Sequence, residues 1–171
     1  HINSTEQADE LIVALAALLH DIADSKFNGG DEEIGRQKAG DFLASIGLEP
    51  KIIEEVKLII KNLSFKASFG EISYFSKELD VVQDADRLDA IGAIGIARAF
   101  HYGGFKNREI YDPFISPKLY MTKEEYKFSN APTINHFYEK LLLLKDRMNT
   151  TTGKELAEQR HAFMESYLQQ F

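Results

Sequence analysis

Apolar residues recur along this chain at three- and four-residue intervals, the spacing of one face of an α-helix. The clearest case follows Pro50 and consists of Ile52, Ile53, Val56, Ile59, Ile60 and Leu63. Together with capping residues, this spacing predicts helices at about 4–20, 32–46, 50–63, 77–101, 133–148 and 152–170, and a short helix after Thr122. No segment alternates in the manner of a β-strand. The pattern therefore predicts an all-α fold.

Residues with strong capping preferences mark several of the predicted boundaries. Ser4 or Thr5 is expected to begin the first helix, Asp31 the second, and Thr122 with Glu125 the short one. Each of these side chains can accept a hydrogen bond from a backbone N–H that lacks a partner inside the helix. The first helix is therefore expected to be continuous from its cap to about residue 20.

The connecting segments differ in character. Gly47 is expected to end the second helix, and the segments 23–30 and 64–75 are predicted to be loops. The segment 102–120 is longer and rich in glycine, proline and aromatic residues. Irregular segments of that length in compact domains are commonly functional, so we expect this one to border a binding site.

Length, charge and composition narrow the class of protein. The 171 residues are enough for a substantial core in a single domain. Lys and Arg number 20 against 27 for Asp and Glu, and the net charge of −7 disfavours a nucleic-acid partner. The absence of cysteine excludes disulfides, thiolate metal sites and cysteine nucleophiles. No apolar run approaches the roughly 18 residues that span a membrane. We therefore expect a soluble cytoplasmic protein.

The adjacent pair His20 and Asp21 closes the apolar run 11–19. A histidine and an aspartate at the end of a buried helix are costly unless something binds them. A divalent metal ion satisfies both, because a neutral imidazole and a carboxylate are among its usual ligands. The pair is therefore a candidate metal site.

A second acidic cluster contains Asp84, Asp86 and Asp89, with Arg87 among them. Asp86 and Asp89 are three residues apart and share one helical face, whereas Asp84 points well away from Asp86. Taken alone, the cluster is equally typical of a solvated acidic helix start. Joined to the histidine–aspartate pair, it favours a metal site.

These segments resemble the signature of the HD superfamily of metal-dependent phosphohydrolases. The matching residues are 18–22 (LLHDI) and 82–88 (VQDADRL), and the similarity continues through 91–95 (IGAIG) and 102–111 (YGGFKNREIY). The resemblance covers essentially the whole chain and implies a single-domain, all-helical HD bundle over residues 1–171. It also implies that His20, Asp21 and Asp86 are metal ligands, with Asp84 as the second choice for the last position and better suited to a supporting role.

The first histidine of the family signature has no match here. His1 would stand about 28 Å from His20 along a continuous helix that rises about 1.5 Å per residue, too far to share a metal ion. We therefore expect this ligand upstream of His1, in an N-terminal segment that the chain lacks. The other histidines, among them His101 and His136, fit helix-end or packing roles better.

Several polar residues near the pair are candidates for the chemistry. Asp24 is one turn beyond Asp21 and could orient or deprotonate the attacking water. Lys26 stands where the family often has a lysine that faces phosphate, and Glu33 could serve as acid or base. The plainer alternatives are that Asp24 is an ordinary helix-end acid, that Lys26 is a surface charge, and that Glu33 interacts favourably with the helix dipole. Asp31 replaces the second-metal histidine of binuclear relatives, which favours one metal.

Substrate binding is assigned to cations and aromatic residues near the motifs: Arg87, Tyr102, Lys106 and Arg108, with Tyr111 as an alternative contact to a base or sugar. Positive groups can neutralise phosphate oxygens in the substrate and in the transition state. Taken singly, each charged residue is more typical of a surface charge than of a ligand contact. Their clustering around the motif segments favours Arg87 and Lys106.

The resemblance implies a metal-dependent phosphohydrolase that acts on a small phosphorylated metabolite, with a nucleotide favoured. The bond cleaved could be a phosphomonoester or the anhydride that releases pyrophosphate from a triphosphate. One divalent ion is expected, with Mn²⁺ favoured over Fe²⁺, Zn²⁺ or Mg²⁺. The alternative is a non-catalytic HD module that binds a nucleotide or a metal and regulates a partner. An HD oxygenase would need ligands for two irons, which the sequence does not offer.

Overall fold

A computed structural model describes residues 1–22, 33–63 and 74–171, apart from the side chains of Lys123 and Lys127. The helices are α1 Ile2–Glu6, α2 Glu10–Leu19, α3 Glu33–Ser45, α4 Pro50–Leu63, α5 Lys77–Asp89, α6 Gly92–Phe105, α7 Lys123–Phe128, α8 Thr133–Glu139, a 3₁₀ helix Leu141–Arg147, and α9 Thr151–Gln170. These ranges contain no β-strand, so the predicted all-α class is confirmed. The chain forms two compact units, His1–Gln83 and Asp84–Phe171.

The first unit is built on α4, which packs against both α2 and α3. Its apolar face forms because Val56, Ile59 and Leu63 recur at helical spacing and all three are buried. They meet Ala16 of α2 and Leu43 of α3, both of which are fully buried. This core holds the end of α2, and with it the histidine–aspartate pair.

The N-terminal helix is not continuous, so that prediction is wrong. Gln7 adopts a left-handed backbone conformation (φ 57°) and ends α1. Asp9 then caps α2, because its carboxylate accepts hydrogen bonds from the backbone N–H groups of residues 11 and 12. The hydroxyls of Ser4 and Thr5 instead donate to carbonyls three residues earlier and cap nothing. The cap of the long apolar helix is therefore Asp9 and not the predicted hydroxyl residues.

The predicted helix 77–101 is also interrupted. α5 ends at Asp89, and α6 begins at Gly92, whose φ of +75° is readily adopted only by glycine. The Arg160 side chain lies against Gly92 and donates a hydrogen bond to the carbonyl of Leu88. A contact with α9 thus accompanies the break, and apolar periodicity carries no signal of it. The 133–148 prediction changes similarly, because α8 gives way to the 3₁₀ helix after Lys140.

The second unit has an aromatic core between α6, α8 and α9. The rings of Phe137 and Tyr167 stack with centroids 5.9 Å apart, and Phe100 lies 5.9 Å from Phe137. Gly103 allows α6 to approach Thr133, since a side chain at this position would overlap the threonine hydroxyl. Within the described parts of the chain, no helix is long and apolar enough to cross a membrane.

Candidate metal centre

The His20 imidazole is oriented by a hydrogen bond to its own helix. Nδ1 lies 2.8 Å from the carbonyl oxygen of Ala17. A carbonyl oxygen only accepts, so Nδ1 carries the hydrogen, and the neutral ring keeps its lone pair on Nε2. Metal-binding histidines are commonly oriented in this way by a carbonyl on the second ring nitrogen.

Asp21 places a carboxylate beside that lone pair. Its Oδ2 lies 3.4 Å from His20 Nε2. Two acceptors at this separation are stabilised by a proton or a cation that both can bind. The pair is also accessible, because the His20 side chain is 25% exposed and that of Asp21 is 69% exposed. An imidazole nitrogen and a carboxylate oxygen suit Mn²⁺, Fe²⁺ or Zn²⁺, so the pair fits two positions of a coordination sphere.

Four further candidates lie close to this pair in the sequence. Three of them, Asp24, Lys26 and Asp31, lie outside the described residues. Glu33 begins α3, is exposed, and forms an ion pair with Arg36 one turn later. Across the described ranges, no group of three or more His, Cys, Asp or Glu side chains is close enough together to hold a metal ion.

Asp84 and Asp86 have different environments on α5. Asp84 is completely buried. Its Oδ2 accepts hydrogen bonds from Thr150 N at 2.8 Å and from Thr150 Oγ1 at 2.7 Å, and Oδ1 accepts from Asn149 N at 2.9 Å. These bonds commit the Asp84 carboxylate to the start of α9. Asp86 is half-buried, two residues further along the same helix.

Arg87 is held within the second unit. One guanidinium nitrogen donates to the carbonyl of Arg147 and lies 3.5 Å from Asp84 Oδ1. The side chain is only 14% exposed. These contacts give Arg87 a structural role, and its predicted contact with substrate stays a prediction.

Tyr102, Lys106 and Arg108, three of the predicted substrate contacts, do come together. Lys106 Nζ lies 5.7 Å from the centroid of the Tyr102 ring, and Arg108 Cζ lies 5.9 Å from the same centroid. Lys106 Nζ is also 5.4 Å from the ring of Phe105, a residue that sequence reasoning missed. We call Tyr102, Phe105, Lys106 and Arg108 the cation–aromatic cluster.

A helix-ending turn builds this cluster. Asn107 takes a left-handed conformation (φ 53°), Arg108 N donates to Gly103 O, and Asn107 N donates to Gly104 O. This is the hydrogen-bond pattern of a Schellman motif, and asparagine is one of the residues that favours it. The turn reverses the chain and brings Arg108 back over Tyr102. The asparagine after an apolar helix end was the signal available in the sequence.

The Arg108 guanidinium is only partly satisfied. One terminal nitrogen donates to the carbonyl of Ser129 at 2.6 Å, while the buried Nε has no hydrogen-bond partner among the described residues. Beside it, burial raises the pKa of the Tyr126 phenol, Arg108 opposes that rise, and Glu139 adds to it. Burial thus keeps this tyrosine neutral next to an arginine with an unused donor.

Tyr111 belongs to a different surface of the second unit. Its ring packs edge-on against Phe171 with centroids 5.6 Å apart. The two residues line a pocket of about 350 Å³ together with Asn135 and Tyr138. Its assignment as a base or sugar contact stays a prediction.

Known proteins resemble this chain in sequence and in fold. The HD domain family model matches residues 1–91. The Bacillus subtilis protein YpgQ is 39% identical over an alignment of 172 positions that covers 99% of this chain and 75% of YpgQ. The crystal structure of YpgQ in complex with ADP gives a TM-score of 0.74 at 38% identity, over 99% of this chain and 79% of that one.

Two further crystal structures are similar over nearly the whole chain. A protein from Lactobacillus plantarum gives a TM-score of 0.87 at 41% identity and covers 99% of this chain and 78% of its own. An HD-superfamily hydrolase from Bacillus thuringiensis gives a TM-score of 0.72 at 44% identity, with coverages of 99% and 76%.

Proposed function

The chain belongs to the HD-domain family of metal-dependent phosphohydrolases, and from that premise we propose that it hydrolyses a phosphate ester or anhydride bond of a nucleotide. The observation that carries the proposal is the His20–Asp21 pair. The imidazole is fixed through Nδ1, and Nε2 lies 3.4 Å from a carboxylate oxygen. Asp86 is proposed as a further ligand on the strength of the family signature, and Mn²⁺ as the preferred ion. A divalent ion bound there would polarise a phosphoryl oxygen and make water a better nucleophile at neutral pH.

Residues near the pair are proposed to handle water and protons. We assign Asp24 to orient or deprotonate the attacking water and Lys26 to contact a phosphate oxygen. Glu33 is proposed as acid or base, and its carboxylate pairs with Arg36 one turn later. Arg87 would contribute positive charge from its buried position.

The cation–aromatic cluster supports a nucleotide as substrate. Lys106 and Arg108 offer two positive charges in a protein whose net charge is −7, and electrostatic attraction to phosphate oxygens needs such a local excess. Tyr102 and Phe105 offer ring faces on which a base can stack. The relative YpgQ has been crystallised with ADP, a ligand that combines both features.

The experiment that tests the substrate class is a panel of nucleoside mono-, di- and triphosphates and sugar phosphates, assayed with Mn²⁺. Release of pyrophosphate or of orthophosphate identifies the bond cleaved. We expect nucleotides to be hydrolysed faster than sugar phosphates. Faster hydrolysis of sugar phosphates would contradict the proposal.

Lys106→Ala tests the contribution of the cluster. Loss of one charged contact to phosphate, worth about 1.5 kcal/mol, should raise KM about tenfold. Metal affinity should stay nearly unchanged, because the contact is to the substrate. Lys118→Ala is the matched control, since Lys118 is also exposed and lies in the same segment but pairs with Glu125. Unchanged kinetics in both Lys106→Ala and Arg108→Ala would assign phosphate binding to Lys26 and Arg87 instead.

A further inference from the structure

Helix α9 holds the C-terminal half of α5 at two points. At the first, the buried Asp84 carboxylate accepts hydrogen bonds from the backbone and hydroxyl of Thr150 and from Asn149 N. The Thr150 hydroxyl also caps α9, because its oxygen accepts from Gly153 N at 2.9 Å. One hydroxyl therefore joins the start of α9 to α5.

The second point lies one helical turn further along α5. The Arg160 guanidinium donates to the carbonyl of Leu88, one of the last carbonyls of α5, which also accepts a hydrogen bond from Ile91 N just beyond the helix. The aliphatic part of the same side chain packs on Gly92, where a Cβ atom would lie 3.1 Å from Arg160 Cβ and Cγ. We call the Asp84–Thr150 and Leu88–Arg160 contacts the α9 bracket.

Asp86 lies between the two points of the bracket. Residues 84 and 88 are four apart and share a face of α5, and Asp86 is rotated about 200° from Asp84 around the helix axis. α9 therefore grips one face of the helix and leaves Asp86 on another. A grip on both sides of one residue fixes the position and rotation of its backbone.

We infer that Thr150, Gly153 and Arg160 are positioning residues for Asp86, acting through the α9 bracket on its backbone. This inference rests on the proposed function, in which Asp86 is a metal ligand. Metal–ligand distances tolerate only about 0.2 Å, so a loosened helix holds its ligand poorly. Groups that orient metal ligands change metal affinity about 10- to 100-fold when they are replaced.

Gly153→Ala is the sharpest test. A methyl group at this position would overlap Asp84 Oδ2 and lie 2.8 Å from Thr150 Oγ1, so the carboxylate must move. Alanine is also a better helix former than glycine, so weaker Mn²⁺ binding would not come from a lower helix propensity of α9. Mn²⁺ affinity, measured by electron paramagnetic resonance, should fall about tenfold while the far-UV circular dichroism stays that of the wild type.

Two substitutions of Thr150 test the inference even if Gly153→Ala does not fold. Thr150→Val removes the hydroxyl at nearly constant shape and should also weaken Mn²⁺ binding about tenfold. Thr150→Ser keeps the hydroxyl and should bind as the wild type does. Asn135→Ala is the control for general destabilisation, because it removes a buried hydrogen bond to Ile115 O elsewhere in the unit. Its Mn²⁺ affinity should be unchanged.

The combined results distinguish a failure of the α9 bracket from a failure of Asp86 as a metal ligand. Wild-type Mn²⁺ affinity in Thr150→Val, together with lost binding in Asp86→Ala, overturns the bracket and leaves the ligand assignment standing. Equal weakening in Asn135→Ala and Thr150→Val also overturns the bracket, since any loss of stability would then suffice. Wild-type affinity in Asp86→Ala overturns the ligand assignment and the inference with it.

Discussion

Replacing Asp84 with alanine removes a carboxylate that three donors share. Asn149 N, Thr150 N and the Thr150 hydroxyl all direct their hydrogens at it, at 2.7 to 2.9 Å. The residue is 0% exposed, so water cannot readily take over these bonds. The substitution would leave two backbone N–H groups and a hydroxyl buried without acceptors, and would uncover Arg87.

The contacts of Asp84 determine how strongly this substitution should destabilise the protein. Each stranded donor costs about 1–3 kcal/mol, and removal of one partner from a buried charged contact costs about 3–5 kcal/mol in total. For a chain of this length, that corresponds to a fall in melting temperature of roughly 6–20 °C. The matched control is Asp89→Ala on the same helix, because Asp89 is 62% exposed and pairs with Arg98 at the surface. Its effect should stay below about 1 kcal/mol.

Thermal and urea unfolding, followed by circular dichroism, measure both variants. We expect a clear separation, with Asp84→Ala strongly destabilised and Asp89→Ala close to the wild type. A loss below about 1 kcal/mol in Asp84→Ala would refute the account of a carboxylate committed to α9. Such a result would also reopen Asp84 as the candidate metal ligand, because the side chain would then be dispensable for the fold.

Three further predictions concern the second unit. Gly103→Ala should cost about 1–3 kcal/mol in unfolding experiments, because the new methyl group overlaps the Thr133 hydroxyl. Since burial raises the pKa of Tyr126, the folded state disfavours ionisation of its phenol. The free energy of unfolding should therefore fall as pH rises beyond about 10. Unfolding curves of Tyr126→Phe should show a less steep fall. A hydrogen bond from Lys118 is the main cause that lowers the pKa of Glu125 to about 2. Lys118→Ala should therefore raise the titration midpoint of Glu125, measured by NMR. An unchanged midpoint would contradict this cause.

The fold was predictable wherever a helix is specified by its own residues. α4 is the clearest example, because Pro50 fits its first turn and its buried residues, Val56, Ile59 and Leu63, follow helical spacing. The break after Asp89 was not predictable in this way. It coincides with a side chain that comes from 72 residues further along the chain, and local periodicity carries no information about such a contact.

The candidate site, too, was predictable from the sequence only where its contacts are local. His20 and Asp21 are adjacent in sequence, so their pairing was visible, and the hydrogen bond to Ala17 O is local to α2. Asp84 and Asp86 look alike in the sequence. The difference in burial between them comes from α9, which places Thr150 against one carboxylate and not the other. Phe105 was missed because its partnership with Lys106 depends on the turn that ends α6.

We propose that hydrolysis depends on a divalent ion bound at His20 and Asp21. The most direct measurement determines metal content and nucleotide hydrolysis on the same samples: wild type, His20→Ala and Asp21→Ala, each before and after chelation and after return of Mn²⁺. We predict that chelation abolishes wild-type hydrolysis, that Mn²⁺ restores it, and that both variants retain neither metal nor activity while keeping their helical circular dichroism. Full hydrolysis by metal-free Asp21→Ala protein would contradict the claim.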